Sequence, residues 1–179
     1  MPLRYAAWQH ALAEWKCEFP EKLFYDWGGY PATQIVALLN EKQGLAMRAE
    51  QVLQQTESFY LESLPKLKAV PEVLEHIEAS HGRVRFALVS GGTRKSVEAS
   101  LTVLGLLDKF EVFVCAGDYR KAKPDPEPFL LAAARLGVRA EACLVFEDAE
   151  PGIAAARAAG MAAVKVPPPW HRNPPARRR

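Results

Sequence analysis

An apolar run, two acids and an alanine-rich segment follow one another in residues 143–163, which read Cys-Leu-Val-Phe-Glu-Asp-Ala-Glu-Pro-Gly-Ile-Ala-Ala-Ala-Arg-Ala-Ala-Gly-Met-Ala-Ala. The apolar residues 143–146 predict a strand that is buried on both faces, because such strands show no polar alternation. Pro151 suits the first turn of a helix and Gly160 suits a helix end. Glu147 and Asp148 are therefore expected at the carboxyl end of a buried parallel strand, where open α/β sheets bind ligands.

Adjacent carboxylates at a strand tip suit a hard cation such as Mg²⁺, which takes oxygen ligands and often shares them with a substrate phosphate. The alternative for Glu147 and Asp148 is an acidic turn that is simply solvated. These two residues alone do not favour one interpretation over the other.

Composition excludes several classes of function. The chain has 179 residues, enough for one domain with a core, or for a core with a small insert. Its net charge is +2, and four arginines fall in the last eight residues, so nothing indicates a nucleic-acid surface. No apolar stretch reaches the ~18 residues of a membrane span, and no signal-peptide core begins the chain. Three cysteines without a pairing pattern favour a reducing, cytoplasmic location.

The first part of the chain is helical in pattern. Apolar residues recur at helical spacing through residues 1–62, with breaks at Pro20, at 28–31 and at Gly44. This pattern predicts three or four helices whose aromatic side chains form a core. The predicted units of the whole chain are a helical domain over 1–65, an α/β domain over 66–168 and a disordered basic, proline-rich tail over 169–179.

Strands and helices alternate after residue 66. The predicted strands are 84–89, 112–116, 143–146 and 163–166. Short connections between alternating strands and helices predict an α/β fold, with a parallel sheet covered by helices on both faces. Right-handed crossovers would place the carboxyl ends of all strands at one rim of the sheet.

Three of the predicted strand ends carry polar motifs, namely Ser90-Gly91-Gly92-Thr93, Lys121-Ala122-Lys123-Pro124-Asp125-Pro126 and Glu147-Asp148. A hydroxyl and backbone N–H groups at a helix start form a phosphate cradle, although the same motif is typical of a capped turn. A lysine before prolines is a fixed charge, although it also suits a stiff surface loop. In this order on successive strand ends, the three motifs together indicate a site for Mg²⁺ and a phosphoryl group.

These motifs resemble motifs two, three and four of the haloacid dehalogenase superfamily. The residues that carry the resemblance are Ser90-Gly91-Gly92, Lys123-Pro124-Asp125-Pro126 and Val145-Phe146-Glu147-Asp148-Ala149-Glu150-Pro151-Gly152-Ile153. The branch most similar to the chain is that of the β-phosphoglucomutase-like phosphatases, and the resemblance covers residues 1–166. Pro2-Leu3-Arg4-Tyr5-Ala6-Ala7-Trp8-Gln9 resembles the segment that begins the cap of that branch. The resemblance implies a Rossmann-like parallel sheet with a small α-helical cap.

The resemblance also implies roles for single residues. Ser90 would hydrogen-bond the phosphoryl oxygens together with backbone N–H groups near Gly91, and Lys123 would neutralise the transferring phosphate, so both would be catalytic. Asp148 would bind Mg²⁺ directly, and Glu147 would bind it or orient its waters. The implied partner is a small phosphorylated metabolite such as a sugar phosphate, and the implied complete protein is a monomer.

Two features of the helical unit depart from the pattern of this branch. Arg4 and Ala6 stand where His and Arg are common, and Tyr30 stands where an Arg often follows the paired glycines. The substrate contacts of the cap are therefore not carried over to this chain.

Motif one of the family is absent. It consists of a buried strand followed by Asp-x-Asp-Gly-Thr, whose first Asp is the nucleophile and whose second is the general acid/base, and no Asp-x-Asp occurs in residues 1–179. We therefore expect the central first strand to be missing between the strands that end at Ser90 and Glu147. We also expect an N-terminally truncated, inactive form of a phosphatase.

A missing central strand would leave buried backbone groups without partners, at about 1–3 kcal/mol each. Two further possibilities are that the flanking strands pair directly, or that another chain supplies the strand. The alternative function is a non-catalytic module that binds phosphate, a phosphosugar or a protein partner.

Overall fold

A computed structural model of the chain describes residues 1–167, and within that range it contains eight α-helices and four short strands. The tail predicted to be disordered, 169–179, lies outside the described residues. Each helix in the described range is too short or too polar to cross a bilayer. The elements are α1 Pro2–Leu12, α2 Glu21–Asp26, α3 Ala32–Gln43, α4 Ala49–Glu62, α5 Pro71–Ser80, β1 Ala87–Val89, α6 Arg94–Val103, β2 Val112–Val114, α7 Glu127–Leu136, β3 Leu144–Glu147, α8 Glu150–Ala158 and β4 Ala162–Lys165.

Helices α1–α4 form a helical unit around an aromatic core. Phe19 is almost completely buried, and its ring centroid lies 5.7 Å from that of Trp8, 5.8 Å from that of Phe24 and 5.7 Å from that of Trp27. Gly44 ends α3 in the left-handed conformation with φ of 63°, which glycine adopts without steric cost. The prediction of three or four helices with an aromatic core is therefore confirmed.

The strands form two separate parallel pairs. β1 pairs with β2, with Ala87 opposite Val112, and β3 pairs with β4, with Leu144 opposite Ala162. Within residues 1–167 no backbone hydrogen bond joins β1 to β3, so the two strands do not close up against each other. The predicted α/β fold with parallel strands is confirmed, but its sheet is divided at the position where the central strand was expected to be missing.

Helices cover both faces of the divided sheet. Val89 of β1 and Val145 of β3 lie in one apolar cluster with residues of α7 and α8. Leu88 points to the opposite face, because successive side chains of a strand alternate, and it packs with residues of α6. On that same face His76 of α5 contacts Phe146, with ring centroids 5.1 Å apart. The two sheets are thus held in one layer by helices rather than by a shared strand.

The expected burial of residues 143–146 on both faces was wrong. Leu144 is 56% exposed, and Val145 and Phe146 are only partly buried. The reason is that β3 has β4 as its single strand neighbour within the described residues. Val164 of β4 is likewise 43% exposed.

The Asp118 carboxylate holds the start of the loop that leads from β2 to Lys123. Asp118 accepts a hydrogen bond from the backbone N–H of Cys115 at 2.8 Å. It also pairs with Arg94 of α6 at 3.0 Å and with Arg135 of α7 at 3.4 Å. The Cys115 N–H, followed by Arg135 and Arg94, lowers the pKa of Asp118. This carboxylate therefore fixes the start of the loop to two helices at once.

We predict that Asp118→Asn lowers the free energy of unfolding by about 1 kcal/mol at pH 7, because the charged acceptor is lost. The folded state favours the ionised carboxyl, so its contribution is fully present above the unfolded pKa of about 4 and is lost as the pH falls through the lower folded value. Urea denaturation at pH 7, 5 and 3 should show the two proteins converging at the lowest pH. The exposed Asp108→Asn is the control, and an equal difference at pH 3 and pH 7 would contradict the prediction.

Candidate functional site

Lys123 connects the ends of the two sheets. Its Nζ donates to Oε2 of Glu147, the last residue of β3, at 2.6 Å, and to the carbonyl of Val89, the last residue of β1, at 3.4 Å. The side chains of Lys123 and Glu147 are only 10% and 11% exposed, so the two charges depend on each other. The Nζ also lies 4.6 Å from the ring centroid of Phe129, a cation–π distance. The amine is thereby held at the rim between β1 and β3.

The loop that carries Lys123 is fixed by the start of α7. The Glu127 carboxylate accepts hydrogen bonds from the backbone N–H groups of Arg120 and Lys121, both at 2.9 Å. The backbone N–H of Glu127 in turn donates to Asp125 at 3.0 Å. These contacts clamp the segment on both sides of Lys123, so its side chain leaves from a defined backbone.

Glu147 folds back under the first turn of α8. Its Oε1 accepts from the backbone N–H groups of Asp148 and Ala149, both at 3.1 Å. A Cβ at Gly152 would lie only 2.1 Å from the Glu147 carboxyl carbon, so only glycine leaves room for this carboxylate. Both oxygens of Glu147 are therefore engaged, one with backbone N–H groups and the other with Lys123.

Asp148 follows the last residue of β3, and its side chain is partly buried. Burial raises the pKa of Asp148, the positive charge of the amino terminus opposes that rise, and the neighbouring Glu147 adds to it. A cation beside Asp148 would favour its ionised form. Among residues 1–167 no cluster of three or more His, Cys, Asp or Glu side chains is arranged to hold a metal. A metal here would have to take its other ligands from water or a substrate, as Mg²⁺ commonly does.

The loop after β1 lies at the same rim. Ser90 Oγ accepts from the backbone N–H of Gly92 at 3.0 Å, and the Tyr119 hydroxyl reaches the Ser90 carbonyl at 3.5 Å. Thr93 then caps α6, because its Oγ1 accepts from the Ser96 N–H at 3.2 Å. The predicted phosphate cradle is thus a short turn that ends in a capped helix.

The residues predicted to form the site are brought together at one rim. Direct contacts join Lys123 to Glu147 and to Val89, and Ser90 and Asp148 are the next residues along the chain. We call the set formed by Ser90, Gly91, Lys123, Glu147 and Asp148 the rim site. Its individual roles remain predictions, but its members come from three loops that meet at the carboxyl ends of β1 and β3.

Two glycines of the helical unit, Gly28 and Gly29, also lie against this site. The sequence pattern indicated a break between helices at these glycines but did not predict their position beside the site. A Cβ at Gly28 would lie 2.7 Å from the Cβ of Ala149. At Gly29, which has φ of 98°, it would lie 3.1 Å from the Cβ of Lys123 and 3.6 Å from that of Pro151. Paired glycines beside a predicted site are a signal of close backbone approach.

Comparison with known proteins gives one family and several relatives. The model of the haloacid dehalogenase-like hydrolase family matches residues 2–166. The chain is 32% identical over 166 residues to the fructose-1-phosphate phosphatase YqaB of Escherichia coli (strain K12), covering 92% of this chain and 88% of that protein. It is 29% identical over 164 residues to the phosphorylated carbohydrates phosphatase of Thermotoga maritima, covering 89% of this chain and 75% of that protein.

A solved structure supports the fold. The β-phosphoglucomutase of Clostridium difficile matches with a TM-score of 0.76 at 22% identity, covering 95% of this chain and 79% of that one. At this level of identity the match shows a shared fold.

We predict that Gly152→Ala destabilises the protein, although alanine normally stabilises a helix by about 0.5–1 kcal/mol relative to glycine. The added methyl group would displace the Glu147 carboxylate and leave Lys123 poorly paired, at a cost of about 2–4 kcal/mol. Urea denaturation measures the difference.

The control is the same substitution in a Glu147→Ala background, where the collision no longer exists. There Gly152→Ala should be neutral or stabilising. A stabilising Gly152→Ala in the otherwise unchanged protein would contradict the described position of Glu147.

Proposed function

We infer that this chain, which belongs to the haloacid dehalogenase-like hydrolase family, uses its rim site to hold the phosphate group of a small phosphorylated sugar together with Mg²⁺. The proposal rests chiefly on Lys123, whose amine contacts the last residues of β1 and β3 at once. A single cation therefore lies within reach of both the Ser90 loop and the acidic pair. The sugar phosphatases among its relatives support the substrate class.

The phosphate would be held by donors and by charge. The Ser90 hydroxyl and the backbone N–H of Gly91 would donate to phosphoryl oxygens, and the Lys123 ammonium would neutralise part of their negative charge. Fixed donors of this kind favour the charge that develops during phosphoryl transfer. Lys123 already pairs with Glu147, so an arriving phosphate would share this ammonium rather than meet an isolated charge.

The acidic pair fits Mg²⁺ with unequal roles. We propose Asp148 as the direct ligand, because its partly buried carboxyl lies next to Glu147 and a nearby cation would favour its ionised form. Glu147 suits the orientation of metal-bound waters, since both of its oxygens are already engaged. When bound, Mg²⁺ would withdraw charge from the phosphate oxygens.

The family reaction also needs an attacking carboxylate. Residues 1–179 contain no Asp-x-Asp, and the rim site offers no other carboxylate than Glu147 and Asp148. We therefore propose that this sequence binds a phosphate ester but does not hydrolyse it. Hydrolysis would require an additional strand between β1 and β3 that ends in the missing acid.

A second candidate is a protein-interaction module, which would dock a partner protein rather than hold a phosphate ester. The unpaired inner edges of β1 and β3 within the described residues favour it, because these edges can accept a partner strand. Such a module should unfold cooperatively, and its melting temperature should rise when its partner is present. Aggregation on expression would count against it.

We predict that the 179-residue chain does not turn over p-nitrophenyl phosphate or a sugar phosphate. The same chain with an added apolar strand and Asp-x-Asp-Gly-Thr at its front should hydrolyse both in the presence of Mg²⁺. The matched control carries Asn-x-Asn-Gly-Thr in the same added strand. Equal phosphate release by the 179-residue chain and the extended chain, measured colorimetrically, would refute this proposal.

We further predict that Mg²⁺ tightens the binding of inorganic phosphate to the unmodified chain, as measured by isothermal titration calorimetry. Ser90→Ala should weaken phosphate binding about tenfold, because one donor is lost. Asp148→Asn should abolish the effect of Mg²⁺ while leaving Mg²⁺-independent binding in place. The exposed Asp108→Asn is the control, and an undiminished Mg²⁺ effect in Asp148→Asn would remove Asp148 from the metal site.

A further inference from the structure

Side chains from three helices meet beside the Ser90 loop. Glu57 of α4 accepts from Arg4 of α1 through Oε2 at 3.1 Å, and from the Thr93 hydroxyl through Oε1 at 2.6 Å. Arg4 also donates to Ser96 Oγ at 3.1 Å, and Ser96 is fully buried. We call Arg4, Glu57, Thr93 and Ser96 the Glu57 cluster. It connects the helical unit to the first turn of α6.

Glu57 fixes the direction of the Thr93 hydroxyl. A hydroxyl carries one hydrogen, and the nearest acceptor for it is the charged Glu57 carboxylate. The oxygen of Thr93 is then free to accept from the Ser96 N–H as the cap of α6. The orientation of this cap therefore depends on a side chain from another helix.

Arg4 brings the same cluster against the loop itself. A Cβ built at Gly92 would lie 3.5 Å from Arg4 Nη2 and 3.3 Å from the oxygens of Ser90 and Ser96. The guanidinium carbon of Arg4 lies 3.6 Å from the ring centroid of Tyr60, so a cation–π contact also holds this arginine in place. The side chains of Arg4 and Glu57 are 24% and 25% exposed, which limits screening of their ion pair by solvent.

We propose that Glu57 is a positioning residue for the phosphate-binding turn at residues 90–93. Its carboxylate, held by Arg4, fixes Thr93 and thereby the backbone that presents Ser90 and the N–H of Gly91. The inference rests on the proposed binding of phosphate at the rim site. It makes phosphate affinity depend on a residue of α4 that does not touch the phosphate.

A purely structural role would give a different result. If Glu57 only joined the helical unit to α6, its removal would lower the melting temperature without changing the turn or its affinity for phosphate. The measurements must therefore report on the turn itself.

The test compares Glu57→Ala, which removes both contacts, with Glu57→Gln, which keeps an oxygen acceptor for Thr93 but loses the charge. Glu50→Gln is the matched control, since it makes the same charge change at an exposed position of α4. Inorganic phosphate binding is measured by calorimetry, and hydrogen exchange is measured at the amides of Gly91 and Gly92. We expect Glu57→Ala to weaken phosphate binding about tenfold and to speed this exchange, with Glu57→Gln intermediate and the control unchanged.

Thr93→Val provides a second check. If Glu57 acts through the Thr93 hydroxyl, Glu57→Ala should cause little further loss of affinity in the Thr93→Val background. Fully additive losses would overturn the proposal, as would unchanged affinity and exchange in Glu57→Ala even with a lower melting temperature. If Glu57→Ala does not fold, the same readouts on Glu57→Gln decide the matter.

The test also separates this inference from the proposed function. If the unmodified chain binds no phosphate, the proposed function fails and the exchange rates alone decide the role of Glu57. Faster exchange at Gly91 and Gly92 in the variant would then still support positioning of the turn, and unchanged exchange would overturn it.

Discussion

The ion pair between Lys123 and Glu147 crosses the space between two parallel sheets that share no backbone hydrogen bond across residues 1–167. A charge buried at this depth is unfavourable unless it is paired, so each side chain constrains the other. Two neighbouring glycines provide the space that this ion pair needs. Gly152 leaves room for the carboxylate, and Gly29 lets the helical unit approach the lysine. The arrangement of the rim site therefore depends more on one buried contact than on continuity of the sheet.

Helix boundaries could be predicted because their signals are local. Gly44, Gly137 and Gly160 each follow the end of a helix, and each adopts a positive φ, which glycine permits. Strand burial could not be predicted in the same way. An apolar run such as 143–146 indicates what a strand can bury, whereas actual burial depends on a neighbouring strand that the run does not encode. Leu144 is exposed for that reason.

The convergence of the three motifs at one rim was predictable, but the contacts between their side chains were not. Parallel strands end at one edge, so motifs at three strand ends were expected to converge. Sequence gives no rotamer, and it could not show that Glu147 turns toward Lys123 and the N–H groups of α8 instead of toward solvent. The contacts of Glu57 with Arg4 and Thr93 join residues 53 and 36 positions apart, respectively, and no local sequence pattern predicts them.

The aromatic core of the helical unit has an optical consequence. Three of the four tryptophans, Trp8, Trp15 and Trp27, belong to the first 27 residues, and Trp27 directly precedes the glycines that touch the rim site. The tryptophan fluorescence of the protein will therefore come mainly from the helical unit, and the strands, which contain no tryptophan, will contribute little to it. Trp27 can act as a built-in reporter of any event that moves the Gly28 and Gly29 turn against Lys123.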